Sequence, residues 1–129
     1  GIILARAGLE RLCLATPGEI RSSDDFVPAG GQGIIALQIR RDDENARRLL
    51  DPINDRLTLR ALQAEREFLR LLDGDCDSPV GVHATNQSDN LELRAQVFEE
   101  GATRPKVGKI TGHDPETVAG SLLRQIYGG

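Results

Sequence analysis

The sequence predicts an α+β fold in which a three-stranded antiparallel sheet is packed by helices. Three observations point to it: an apolar stripe at helical spacing between residues 55 and 72, a switch to two-residue alternation after Pro79, and a return to helical spacing after Pro115. The order is therefore helix, three strands, helix.

Taken from the start, Ile2, Ile3, Ala5, Leu9, Leu12 and Cys13 have a helix-compatible spacing, which predicts one helix ending near Leu14, before Thr16-Pro17-Gly18 interrupts it. Polar residues then lead to Val27-Pro28-Ala29-Gly30-Gly31-Gln32-Gly33, whose glycines allow a tight turn or hinge. Ile34 to Arg40 (IIALQIR) is apolar on both alternating faces at its start and predicts a strand covered on both sides. Asp42 or Asp43 can cap a helix bringing Ala46, Leu49 and Leu50 to one side until Pro52 disturbs it.

A longer helix is expected from about Asp55 to Leu72, with Leu57, Ala61, Ala64, Phe68 and Leu71 along one stripe and Gly74 as its cap. Val80, Val82 and Ala84, then Leu91, Leu93, Ala95 and Val97, alternate on either side of the turn-forming stretch Asn86 to Asn90 and predict a hairpin. Lys106 to Thr111 adds a third strand. Asp114, with Pro115 and Glu116 behind it, starts a last helix that packs through Val118, Ala119, Leu122, Leu123 and Ile126 and closes at Gly128.

A chain of 129 residues has room for one compact domain with a modest core. No apolar run approaches the roughly 18 to 20 residues that span a bilayer, and Arg6, Glu10 and Arg11 break the opening stretch as no secretory signal would allow. The net charge of −4 gives nucleic acid no general attraction. Lys106 and Lys109 are the only lysines. Arginine holds carboxylates bidentately, which suits a protein handling a polycarboxylate, but the same bias follows from a GC-rich genome. Cys13 and Cys76 are far apart, which fits neither a disulfide framework nor a zinc site and suits a reducing cytoplasm.

The stretch LLDGDCDSPVG sets Cys76 between the end of a strong helix and the first strand. Loops held by rigid elements often carry reactive groups, whereas a small buried plug is the plainer use of cysteine. Asp73, Asp75, Asp77 and the negative end of the preceding helix favour the neutral thiol, which argues against a redox or protease-type nucleophile. A thiol alkylated once by a very electrophilic carbon needs no such activation, and the carboxylates suit positive charge developing nearby. The glycine turn precedes a strand and lacks Gly-Lys-Ser/Thr, so it is no phosphate loop. It leaves the Gln32 amide free for a ligand. His83 and His113 are expected at the surface, and Glu65, Arg66, Glu67 and Arg70 as a solvated helix face.

Three blocks together resemble the porphobilinogen deaminases (hydroxymethylbilane synthases): GLERLCL (8–14), PAGGQGIIALQIRRDD (28–43) and AEREFLRLLDGDCDSPVG (64–81), in the family's order and separations. The resemblance implies an enzyme that condenses porphobilinogen units head to tail, releasing ammonia, to give hydroxymethylbilane for tetrapyrrole and heme synthesis. It makes Cys76 the thioether attachment point of a dipyrromethane cofactor, Arg11 a ligand of substrate or cofactor carboxylates, and Gln32 a residue of the hinge lining the cleft. Residues 1–27 would end a second domain, 28–54 return into a first, and 55–129 form the cofactor-carrying domain, so the sheet is preceded by remnants of two α/β N-terminal domains. Asp75 and Cys13 stand where the family usually has glycine. The family's catalytic aspartate and most of its basic cluster belong to N-terminal domains outside these residues, so no catalytic residue is assigned here and the chain alone is expected to be silent. Its partners would be porphobilinogen, the growing pyrrole chain and those N-terminal domains. A competing reading is a non-catalytic interaction module that associates through the Ile34 to Ile39 strand, and self-association is expected in either case.

Overall fold

The computed structural model describes residues 2–14, 18–72 and 79–128. Along the chain run α1 (Arg6–Arg11), α2 (Glu44–Leu50), a 3-10 turn (Asp51–Ile53), α3 (Arg56–Leu71), β1 (Val80–Gln87), β2 (Asn90–Val97), β3 (Lys106–Gly112) and α4 (Pro115–Tyr127). The expected α+β architecture is present, with helix, three strands and helix in that order.

Three helices begin with the same device. Asp43, Asp55 and Asp114 accept a hydrogen bond from the backbone N–H three residues on, in Ala46, Thr58 and Thr117. Each bond satisfies one of the donors that a helix start leaves unpaired. Pro115 follows its cap at the first helical position, where a missing N–H costs nothing.

The sheet has the order β1-β2-β3, antiparallel throughout. Val82 lies opposite Ala95, Ala84 opposite Leu93, and Leu93 opposite Ile110. Strict alternation puts all of these on one face, where α3 lies against β1, α4 lies against β3, and the two helices touch. Between helices and sheet sit Phe68, Val82, Leu91, Leu93 and Leu122, all fully buried. Ser88, with φ 52°, makes a two-residue turn with Asp89 between β1 and β2. The turn is thus narrower than the Asn86 to Asn90 stretch expected, because Gln87 and Asn90 still pair across the ladder.

Three other expectations are corrected. The first helix covers only Arg6–Arg11, since no side chain caps it and none of its residues is buried. Cys13 takes a left-handed φ of 52° after it. Ile34 to Arg40 is not a strand: no other strand runs beside it among the described residues, and Ile35 is 88% exposed. An unpaired segment has no partner for its N–H and C=O groups, so alternation alone cannot make it a strand. Leu49 and Leu57 face outwards rather than into the core. The Gly74 cap lies outside the described residues. Among those described, no helix is long and apolar enough to cross a membrane.

Replacing fully buried Phe68 with Ala should cost about 3 to 5 kcal/mol, whereas Leu49→Ala should stay within about 0.5 kcal/mol; urea denaturation of both variants reads the contrast.

The caps give stability a pH dependence. Hydrogen bonds from the Thr117 side chain and backbone hold the Asp114 carboxyl below its ordinary value of 3.8. A depressed folded value means that the stabilisation is complete above the ordinary value and is lost as pH falls through the folded one. Asp114→Ala should therefore lower Tm at neutral pH, and the gap to the unmodified protein should close in scans taken below that range.

Candidate functional site

β1 is an edge strand, and every second N–H on it points away from β2. Such a row of free donors invites pairing with another chain unless something closes it. Here the chain closes it itself. The Val82 N–H donates to the Pro28 carbonyl at 2.8 Å, and the Ala84 N–H donates to Oε1 of Glu65 at 2.8 Å.

The other oxygen of Glu65 accepts the Gly31 N–H at 2.7 Å. One side chain on α3 thus bridges the sheet edge and the glycine turn. Glu65 is 3% exposed, and burying a carboxylate without partners would be costly. Two backbone donors, one per oxygen, offset that cost. Nδ1 of His83 stands 3.5 Å from Oε1, too far for a good hydrogen bond, on a ring that is one-third exposed.

Residues before the turn are held as well. Arg94 on β2 donates to both the carbonyl and the carboxylate of Asp24, at 2.9 and 2.6 Å, and Gln96 donates to the Asp25 carbonyl. These contacts draw the segment over the face of the sheet opposite the helices. Val27 is buried against Gly81, where an added Cβ would stand 2.3 Å from the Val27 carbonyl oxygen. Gly30 then packs between Leu69 and Val82, whose side chains would lie 2.8 and 3.0 Å from a Cβ there. The turn therefore starts at the corner where α3 ends and β1 begins. Beyond it, Ile34, Ile35 and Leu37 line an apolar groove with Leu50, Ile53 and Leu59.

Within the connection from α3 to β1, residues 73–78 lie outside the described residues, and Cys76 with them. Gln32 is exposed on the turn between Gly31 and Gly33. Arg11 is exposed at the end of α1 and makes no hydrogen bond to the turn or the sheet among the described residues. Arg11 and Gln32 are thus not joined into one site by any such bond. His113 is at the surface as expected, with Nδ1 3.2 Å from the Asp89 carbonyl.

Sequence reasoning missed Glu65, which was expected on a solvated face. Its neighbours Arg66 and Arg70 are exposed, and the Glu67–Arg70 pair is a surface ion pair, but Glu65 turns inwards. The signal was available: Glu65 lies four residues after Ala61 and three before Phe68, at the period of the buried stripe.

Two family models match the chain. One, "Porphobilinogen deaminase, C-terminal domain", covers residues 59–127, and the other, "Porphobilinogen deaminase, dipyromethane cofactor binding domain", covers residues 1–48. Among curated relatives, porphobilinogen deaminase of Carboxydothermus hydrogenoformans is 38% identical over 98% of this chain and 42% of its own length. The Thiobacillus denitrificans protein is 36% identical over 97% of this chain and 42% of its own. That of Nitrobacter winogradskyi is 42% identical over 78% of this chain and 32% of its own. The chain thus spans about a third to two-fifths of the relatives it matches.

The close approach at Gly81 can be tested directly. Gly81→Ala should force the Val27 carbonyl away, destabilise the protein by about 1 to 3 kcal/mol, and speed exchange of the Val82 amide; thermal melts and amide exchange read both effects.

Proposed function

The chain belongs to the porphobilinogen deaminase family, and on that premise we propose that it is the C-terminal portion of a hydroxymethylbilane synthase that carries the cofactor on Cys76. The reaction of such an enzyme condenses porphobilinogen units head to tail, one ammonia leaving per unit, to give linear hydroxymethylbilane for tetrapyrrole synthesis. The observation that carries the reading is that both family models lie on one chain in order, with Cys76 inside the C-terminal one.

The residues present fit a covalent dipyrromethane. Of the two thiols, Cys13 is exposed just beyond the short α1, whereas Cys76 stands in sequence between α3 and β1. Bound there, the dipyrromethane supplies the primer on which the chain of pyrroles is built. Asp73, Asp75 and Asp77 offer carboxylates to pyrrole N–H groups and to positive charge. Arg11 would hold substrate or cofactor carboxylates through its planar fork, and the exposed Gln32 amide would line the cleft.

We assign residues 1–27 to the end of a second domain, 28–54 to the hinge and a return into a first, and 55–129 to the cofactor-carrying domain. The working partners are porphobilinogen, the growing pyrrole chain and the family's N-terminal domains, in the cytoplasm. A second reading, a non-catalytic module that associates through residues 34–39, is favoured by the exposure of Ile35 and Leu37.

Intact mass separates the two. Protein produced together with its N-terminal domains should carry a dipyrrole that Cys76→Ala abolishes, and the chain alone should leave porphobilinogen unconsumed. An unmodified Cys76 thiol in an active assembly would reject the first reading.

A further inference from the structure

Glu65 is not needed to close the core, since Phe68, Leu93 and Leu122 fill the space between helices and sheet. Its carboxylate is spent on two backbone N–H groups that belong to different parts of the chain. With the Val82 to Pro28 bond, the stretch from Pro28 to Gly31 is fastened to the sheet domain at both ends. Gly31 itself has φ +77° and lies against Leu62.

The Ile34 N–H donates to the Gly31 carbonyl at 3.1 Å and closes the turn, and over residues 35–39 the hydrogen bonds stop among the described residues. Gly33 has φ +80°, and a Cβ there would meet nothing within 4 Å. Residues 35–39 make no hydrogen bond to α3 or to the sheet among the described residues; their contacts there are the apolar ones of the groove. The first half of the glycine-rich turn is thus anchored to the sheet domain, whereas its second half is held only by the local Ile34 to Gly31 bond among the described residues.

We infer that Glu65 is a positioning residue, clamping Pro28 to Gly31 onto the sheet edge so that Gly33 is the pivot between the cofactor-carrying domain and everything attached through Ile34. This deepens the proposed function, on which it rests, by fixing which part of the hinge stays beside the start of β1 while the other part turns. The mechanical reason is simple. A bridge to the sheet through both oxygens of one carboxylate resists rotation, whereas rotation at Gly33 meets no side chain and breaks only the local Ile34 to Gly31 bond.

Amide hydrogen exchange on the purified chain, resolved by NMR, tests it. In the unmodified protein, the Gly31, Val82 and Ala84 amides should be protected together, and those of Ile35 and Leu37 should not. A Gly31 amide exchanging as fast as that of Leu37 would overturn the clamp, whether or not any variant folds. In Glu65→Gln only one oxygen can accept, so Gly31 or Ala84 should exchange about tenfold faster or more, with Leu93 and Leu122 unchanged. Loss at Leu93 and Leu122 by the same factor would make Glu65 a general stabiliser and reject the positioning role. Gly33→Ala should shift the resonances of residues 34–39 and leave the Gly31 and Ala84 amides alone; shifts at those two amides instead would move the pivot off Gly33. None of these readouts needs a bound pyrrole, so failure of the clamp and failure of the family reading remain separate results.

Discussion

An antiparallel sheet of three strands has two edges, and how the β1 edge is closed sets the rest of this structure. The Val82 and Ala84 N–H groups point outwards, and an open row of donors is a template for aggregation. A carbonyl from Pro28 and a carboxylate from Glu65 take those two donors. Because Glu65 is on α3, the same contact fixes the helix against the edge. Because Pro28 precedes the glycine turn, it also fixes where the N-terminal third of the chain leaves the sheet.

Function follows from that placement. α3 and β1 are rigid elements, one anchored by Phe68 and the other by its ladder to β2, and eight residues, 72–79, connect them. In the proposed reading Cys76, fifth of those eight in sequence, is the permanent covalent anchor, and loops held by rigid elements often carry reactive groups. The turn that begins at the same corner carries Gln32 and then leads away from the sheet domain. In the proposed enzyme the connection that bears Cys76 leaves the end of α3 at the same corner as that turn. The acidic residues beside Cys76 in the sequence suit, in the same reading, a site that meets developing positive charge.

Much of the fold was legible because strong periods survive any context. The α3 stripe, the alternation of β1 and β2, and the Asp114-Pro115 start of α4 each agree with a local rule and with the packing. What was not legible depends on partners that local pattern does not name. Ile34 to Arg40 has the composition of a covered strand, yet a strand exists only beside another strand. The first helix frays to Arg6–Arg11 because its apolar residues bury nothing. Glu65 was hidden by its own neighbours, since one inward carboxylate in an acid and arginine run looks like surface. Only its coincidence with the Ala61 and Phe68 positions gives it away. Of the site itself, the glycine turn was readable from the sequence, whereas the hydrogen bonds joining it to the sheet were not.

A nitroxide on Cys76, in a Cys13→Ser background, measures most directly whether the proposed anchor and the glycine turn share one corner of the fold. Paramagnetic broadening should be strongest at the amides of Val27, Gly30 and Val80, and weak at Lys109 and Thr117 on the far side of the sheet domain. Sharp Val27 and Gly30 signals, with broadening centred on β3 or α4, would contradict it.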